Sequence, residues 1–418
     1  MSIFPFDEVR PEQNKLMADI ESAIKEGQSI IAHAPTGLGK TAAALTPALE
    51  YAIENNKTVF FLTSRNTQHT LIIETLREMN NKQKIIAVDF IGKKGMCPQM
   101  LNYDSRSINF IEFCKDQRKT KDCKLFNKTL DKNEATKKSE EFIAKLIEEG
   151  PLNVEEVVAR SVNNFCAYEL SMLLAQQANV IVADYYHIFS PKVRKFFLNK
   201  IKKDLANSII IIDEAHNLPD RIRNLLTNKI NTLTLSKLSN DIKNNVLEDL
   251  DVTLKDIVNR LRMYGENALG NKKEVKVTKE DFISIVETAT DATYSDFIET
   301  LETISSEIED PDNEDSITRF VEFLRSWLGK EEGFVRILKR EFTKARRPFT
   351  SIEYNCLHPG ALAKKVFDEV HSAILMSGTL TPTEMYRDIL ELKKDTLLKV
   401  YSNPFPNENR LVLVSSDI

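Results

Sequence analysis

No apolar run in this sequence approaches the roughly 20 residues that cross a bilayer. The opening residues, MSIFPFDEVRPEQ, have neither the basic patch nor the apolar stretch of a secretory leader. No membrane partner is expected, and the reading is a cytoplasmic protein, or a nuclear one in a eukaryote, whose thiols stay reduced. Cysteine is scarce, with five residues among 418, and no two of them stand in the C-x2-C spacing by which zinc ribbons and fingers share one ion. Internal repeats and low-complexity tracts are absent as well. A strong net charge is missing too: 57 basic against 62 acidic residues leave −5. That balance does not exclude nucleic acid, because the charge is uneven. Glu280 to Asp315 holds thirteen acidic residues and no Lys or Arg, whereas Lys115 to Lys138 holds nine basic and four acidic ones, and local patches govern binding more than the total.

What is present is an α/β pattern. The length allows two to three domains, or one core carrying insertions. Pro11 to Lys25 reads as a helix, SIIAHA (29–34) as a buried strand, Lys40 to Ile53 as a helix, KTVFFLT (57–63) as a strand and Thr67 to Met79 as a helix. KIIAVDF follows as a further strand. This alternation is that of a parallel sheet covered on both faces. It breaks at Gly92 to Cys166, resumes at NVIVAD (179–184) and SIIIIDEAH (208–216), and breaks again from Leu218 to about Arg347, where apolar spacings of three and four predict helices. Strands return at SAILMSGTL (372–380) and NRLVLVSS (409–416). The economical organisation is one sheet domain with two insertions: 1–89, 171–217 and 351–418 for the sheet domain, 90–170 and 218–350 for the insertions.

APTGLGKT, residues 34–41, follows a predicted strand and opens a predicted helix, the context of a phosphate-binding loop. Ala34, Pro35, Thr36, Gly37, Leu38 and Gly39 form the turn, and the two glycines let backbone N–H groups point at phosphate oxygens. Lys40 brings charge to the terminal phosphates, and Thr41 offers a hydroxyl to Mg²⁺. In IIIIDEAH, Asp213 ends a buried strand where it can hold Mg²⁺ through water, Glu214 can orient and deprotonate the attacking water, and His216 is read as a coupling residue. Arg10 and Gln13 precede the first helix, and a glutamine amide can read an adenine edge. Arg65, Asn66 and Gln68 in LTSRNTQH end a strand and suit a phosphate backbone. Ser377, Gly378 and Thr379 also follow a strand and could link nucleotide state to DNA grip. Cys97, Cys114, Cys123 and Cys166 are separated by sixteen, eight and forty-two residues; a widely spaced set of four suits an iron–sulfur cluster, with zinc and buried free thiols as the alternatives that spacing leaves open.

Taken in this order, the segments resemble the motor core of DEAH-type superfamily 2 helicases, Asp213-Glu214-Ala215-His216 being the naming signature. A four-cysteine insertion between the phosphate loop and that signature, a helical insertion before SGTL, ADYYHIF (183–189) and NCLHP around Cys356 together resemble the XPD helicase family. The resemblance implies a RecA-like P-loop NTPase domain with a small four-cysteine iron–sulfur domain and a helical Arch domain. It implies ATP and Mg²⁺, a [4Fe–4S] cluster on Cys97, Cys114, Cys123 and Cys166, and 5′ to 3′ unwinding of single-stranded or forked DNA in excision repair by a monomer with repair or transcription-repair partners. Basic residues near the cysteines (Lys93, Lys94, Lys115, Arg118, Lys119, Lys121) and the aromatics Phe110, Phe113 and Tyr185 fit a strand-tracking groove; Phe110 and Phe113 equally fit packing around a cluster, and Lys93 and Lys94 suit either the strand or the cluster's sulfurs. Family members carry a second motor domain with arginine fingers, and no Q-x-x-G-R-x-x-R segment occurs here, so the expectation is a piece that hydrolyses ATP poorly on its own. The competing reading is a DNA- or partner-binding module with a nucleotide switch and no turnover.

Overall fold

The computed structural model describes residues 2–102, 110–243, 248–307 and 311–405. The chain divides into two compact units, Met1–Ile222 with Gly360–Ile418, and Arg223–Pro359.

The first unit is built on a seven-stranded sheet. Its strands, in chain order, are β1 (Ile30–His33), β2 (Thr58–Thr63), β3 (Ala87–Asp89), β6 (Val180–Asp184), β7 (Ser208–Asp213), β12 (Ser372–Ser377) and β13 (Leu397–Val400), with β4 (Leu130–Asp131) and β5 (Glu134–Ala135) forming a separate small ladder. The order across the sheet is β13-β1-β12-β7-β2-β6-β3 and every pairing is parallel. Strands in such a sheet are covered on both faces, which is why β2, β7 and β12 are continuous apolar runs, buried along their whole length. The four isoleucines of β7 lie between Val59–Leu62 of β2 and Ser372–Leu375 of β12. The helix Lys40–Glu54 packs on this sheet through Ala43, Ala44, Ala48 and Ala52, small residues that let its axis come close.

The stretch holding Cys97 to Cys166 belongs to this first unit rather than standing as a separate body. It contains the helices Phe110–Lys119, Lys124–Thr129, Lys137–Glu149 and Val154–Ser161 and leads into Ala167–Ala175. Val154–Ser161 starts at a capping box, Asn153 Oδ1 accepting from Glu156 N at 2.9 Å while Glu156 Oε2 accepts from Asn153 N at 2.9 Å.

The second unit differs from the helical pattern expected of it. Alongside its helices it has a four-stranded antiparallel sheet, β8 (Asn228–Asn231), β11 (Pro348–Cys356), β10 (Phe334–Phe342) and β9 (Glu274–Lys276). The sequence hides β10 and β11 because their charged residues, such as Arg336, Lys339 and Glu353, interrupt the apolar alternation. Arg336 is buried, donating to the carbonyls of Trp327 at 2.7 Å and Gly329 at 2.6 Å, with its guanidinium 4.9 Å from the Tyr354 ring. This compact unit runs from Arg223 to Pro359, so NCLHP lies within it. β13 is an addition to the expected strands; NRLVLVSS lies outside the described residues.

Candidate functional site

The phosphate loop sits between β1 and the helix Lys40–Glu54. Gly37 and Gly39 have φ of +86° and +85°, a region that only glycine enters without strain, and Gly39 caps the helix N-terminus. Two residues from the start of the chain brace this turn. Arg10 Nη1 donates to the carbonyl of Gly37, and Gln13 Nε2 donates to that of Gly39 at 3.1 Å. Gln13 is buried, and its Oε1 accepts from Arg10 N at 3.3 Å, closing the capping box of its own helix, so one of its hydrogen-bonding atoms holds the loop and one the helix start, leaving one amide N–H for an adenine edge.

Asp213 ends β7 two strands from β1. It is buried, and burial pushes its carboxyl from 3.8 up to about 6, against the pull of Lys40 and with a further push from Glu214. Glu214 itself takes a left-handed conformation, φ +50°, which turns the chain sharply after the strand. The hydroxyl of Tyr185 donates to the carbonyls of Asp213 and Glu214, the latter at 3.0 Å. Tyr185 is only 1% exposed. Its expected role as a DNA-stacking platform is therefore corrected: the ring has no open face, and the side chain instead braces the turn that presents Asp213 and Glu214.

Ser377, at the end of β12 between β1 and β7, joins the remaining parts. Its Oγ donates to Glu214 Oε2 at 3.1 Å and lies 2.8 Å from His216 Nδ1. Thr379 N donates back to the same Oγ at 3.3 Å. Gly378 faces the phosphate loop, a Cβ at that position coming within 3.6 Å of Thr36 Oγ1. The sequence elements carrying Thr36, Glu214, His216 and Ser377 to Thr379 are thus brought together.

Of the nucleic-acid candidates, Arg65 is exposed at the start of the helix Asn66–Asn80, and Gln68 is half-buried, accepting from the hydroxyl of Thr63. The side chain of Asn66 lies outside the described ones. Lys94 is exposed. Lys93 turns toward the cysteines, its ammonium 5.2 Å from the Tyr168 ring centre.

Cys97, Cys114, Cys123 and Cys166 line one small, predominantly apolar cavity with Lys93, Phe110, Phe113, Arg118, Phe126 and Tyr168. Phe110 is buried and Phe113 is half-buried at its wall, so packing is the role their positions express. Cys123 and Cys166 cap the helices Lys124–Thr129 and Ala167–Ala175; Cys166 N donates to Thr129 Oγ1 at 2.8 Å. Burial pushes the Cys166 thiol up to about 12 and raises that of Cys97. Among the described residues no three His, Cys, Asp or Glu side chains are grouped closely enough for a single metal ion. Four thiols converging on one apolar cavity are a donor set that fits a larger thiolate-held cluster.

Sequence reasoning did not find the ties between this stretch and the sheet. Buried His69 Nδ1 lies 2.5 Å from Asp89 Oδ1, and Asp89 Oδ2 accepts from Val154 N at 3.1 Å. Arg77 Nε donates to Pro151 O at 2.9 Å and Arg77 pairs with Glu156. Asp89 in a strand end with a histidine twenty residues before it was the only visible signal.

Residues 62–235 match the DEAD_2 family. Similar proteins include the general transcription and DNA repair factor IIH helicase subunit XPD of Dictyostelium discoideum, 22% identical over 93% of this chain and 59% of that protein. The ATP-dependent DNA helicase XPD of Sulfolobus acidocaldarius is 24% identical over 93% of this chain and 62% of its own length. The chain therefore spans about 60% of the length of these relatives. In fold it is similar to a solved XPD helicase, TM-score 0.59 with 21% identity over 94% of this chain and 63% of that one, and to a truncated XPD, TM-score 0.55 with 19% identity over 92% and 98%. Its DEAD_2 segment and its XPD relatives, with an α/β fold similar to that of solved XPD structures, together support an XPD-family helicase.

Proposed function

We propose that this chain is the ATP-hydrolysing part of a helicase that moves 5′ to 3′ on single-stranded or forked DNA and serves excision repair, with repair or transcription-repair proteins as partners. Support comes first from the Ser377 hydroxyl, which joins Glu214, His216 and the SGT turn beside the phosphate loop. In this reading the loop N–H groups and Lys40 hold the phosphates of ATP, and Thr41 and Asp213 hold Mg²⁺. The Glu214 carboxylate, oriented by Ser377, positions the attacking water and takes its proton. His216, on the same hydroxyl, senses displacement of the SGT turn.

Cys97, Cys114, Cys123 and Cys166 would hold a [4Fe–4S] cluster, which would cross-link the four segments around the cavity. Arg65, Asn66, Gln68 and Lys94 would grip the strand, with Lys93 divided between strand and cluster. The unit Arg223–Pro359 would be the Arch domain, the cysteine stretch 90–170 the cluster domain, and the protein a monomer in the cytoplasm, or the nucleus of a eukaryote. The test is unwinding by the chain extended to the length of its relatives, on duplexes with a 5′ or a 3′ tail. Opening of the 5′-tailed duplex alone is expected; no ATP-dependent opening of either would refute the proposal.

A further inference from the structure

Beyond β13 the chain turns back toward the phosphate loop and places Phe405 directly on it. A Cβ at Gly37 would come within 2.4 Å of Phe405 Cε2 and 2.5 Å of Cζ, so the ring rests against the bare backbone of that glycine. The carbonyl of the same Gly37 accepts from Arg10 Nη1. A phenyl ring and a guanidinium therefore flank one residue of the loop. Both are exposed, the ring by 58%, which is unusual for a large apolar side chain held against the core of a site.

The position of the ring is anchored. Tyr401 N donates to His33 O at 2.9 Å, at the end of β1. Tyr401 OH donates to Asp19 Oδ2 at 2.7 Å, Lys399 pairs with Asp19 at 2.8 Å, and Ser402 N donates to Glu12 Oε2 at 3.0 Å. Asp19 and Glu12 lie on the helix Pro11–Lys25, whose cap is Arg10. Phe405 N then donates to Asn403 Oδ1 at 3.0 Å, fixing the final turn. Ring and guanidinium are thus carried on one helix and its tether, beside the loop expected to take phosphates.

A flat, π-rich group is the chemistry that an exposed aromatic face and a planar guanidinium share as a partner. The Gln13 amide already spends one N–H on Gly39 O, so an aromatic face beside the loop would add base affinity that this amide alone does not supply. We propose that Phe405 is the stacking platform for the base of the bound nucleoside triphosphate, working with Arg10, and that it favours the larger face of a purine over that of a pyrimidine. This rests on the ATP reading above.

The experiment is calorimetric titration of the full chain and of Phe405→Ala and Phe405→Tyr with Mg-ATP, Mg-CTP and Mg-tripolyphosphate. Tripolyphosphate carries the phosphates without a base, so its binding also reports an intact loop. Expected are about 10-fold weaker ATP binding in Phe405→Ala, unchanged tripolyphosphate binding, loss of the ATP over CTP preference, and recovery in Phe405→Tyr. Unchanged ATP binding in Phe405→Ala would overturn the inference. So would tighter binding of ATP and tripolyphosphate together, which would show the ring to be a plug over the loop. If the unaltered chain binds neither ATP nor tripolyphosphate, the ATP reading itself fails, and this inference with it.

Discussion

The Nδ1 of His216 lies 2.8 Å from the Oγ of Ser377, 161 residues further along the chain. A serine hydroxyl has one proton to give and can accept two. Here Glu214 Oε2, a carboxylate oxygen that only accepts when ionised, takes that proton at 3.1 Å and Thr379 N donates to the same Oγ; in that arrangement the His216 ring meets the hydroxyl as an Nδ1–H donor. The carboxylate proposed as base is therefore held by a hydroxyl whose other bonds come from the DEAH turn and the SGT turn.

Replacing Ser377 by Ala should leave Mg-ATP affinity within about twofold and lower DNA-stimulated turnover by about 10 to 100-fold, since a carboxylate displaced by even 1 Å loses that much. His216→Ala should do the same, and the double variant should be no worse than either single one. Additive losses in steady-state kinetics would mean the two side chains act separately.

Asp213 carries a cost for its proposed role. Its carboxyl titrates near 6 in the fold against 3.8 when exposed, so the native state holds the proton more tightly than the unfolded one, and stability falls as pH rises from about 4 to 6. Asp213→Asn should raise unfolding stability at pH 7 by about 1 to 3 kcal/mol and give little gain below pH 4. Urea denaturation at several pH values measures this; the same variant should lose Mg²⁺-dependent hydrolysis.

Tyr185→Phe removes a buried hydroxyl that serves two carbonyls. A loss of about 1 to 2 kcal/mol in denaturant unfolding is expected, with slower ATP hydrolysis and unchanged affinity for single-stranded DNA. A drop in DNA affinity alone would restore the stacking role that burial argues against.

Anaerobically purified protein should contain iron and acid-labile sulfide, and Cys97→Ser, Cys114→Ser, Cys123→Ser and Cys166→Ser should each lower both. Cys356→Ser serves as the control, because Cys356 belongs to the other unit and does not line the cavity. Equal iron loss in Cys356→Ser, or colourless protein holding stoichiometric zinc, would contradict the cluster.

The sheet and its motifs were legible because their signals are local. Four isoleucines before Asp213 mark a strand buried on both faces, and Gly37 and Gly39 mark a turn that other residues enter only with strain. The convergence of four cysteines was legible only as a count, since sixteen, eight and forty-two intervening residues say nothing about direction in space. Tyr185 and Phe405 were misjudged or missed for the same reason. An aromatic near a basic stretch reads as a stacking face until burial shows the first one closed, and the second gains meaning only when β13 brings it to Gly37. The β10–β11 hairpin escaped because Arg336, a buried cation satisfied by two carbonyls, looks like a surface residue in the sequence.

The most direct test of the ATP-driven motor is ATP turnover with and without single-stranded DNA, in the chain extended to the length of its relatives, compared with Glu214→Gln. The account predicts that DNA stimulates hydrolysis and that Glu214→Gln binds Mg-ATP normally while losing at least about 100-fold in turnover. Undiminished hydrolysis in Glu214→Gln, or turnover indifferent to DNA, would contradict it.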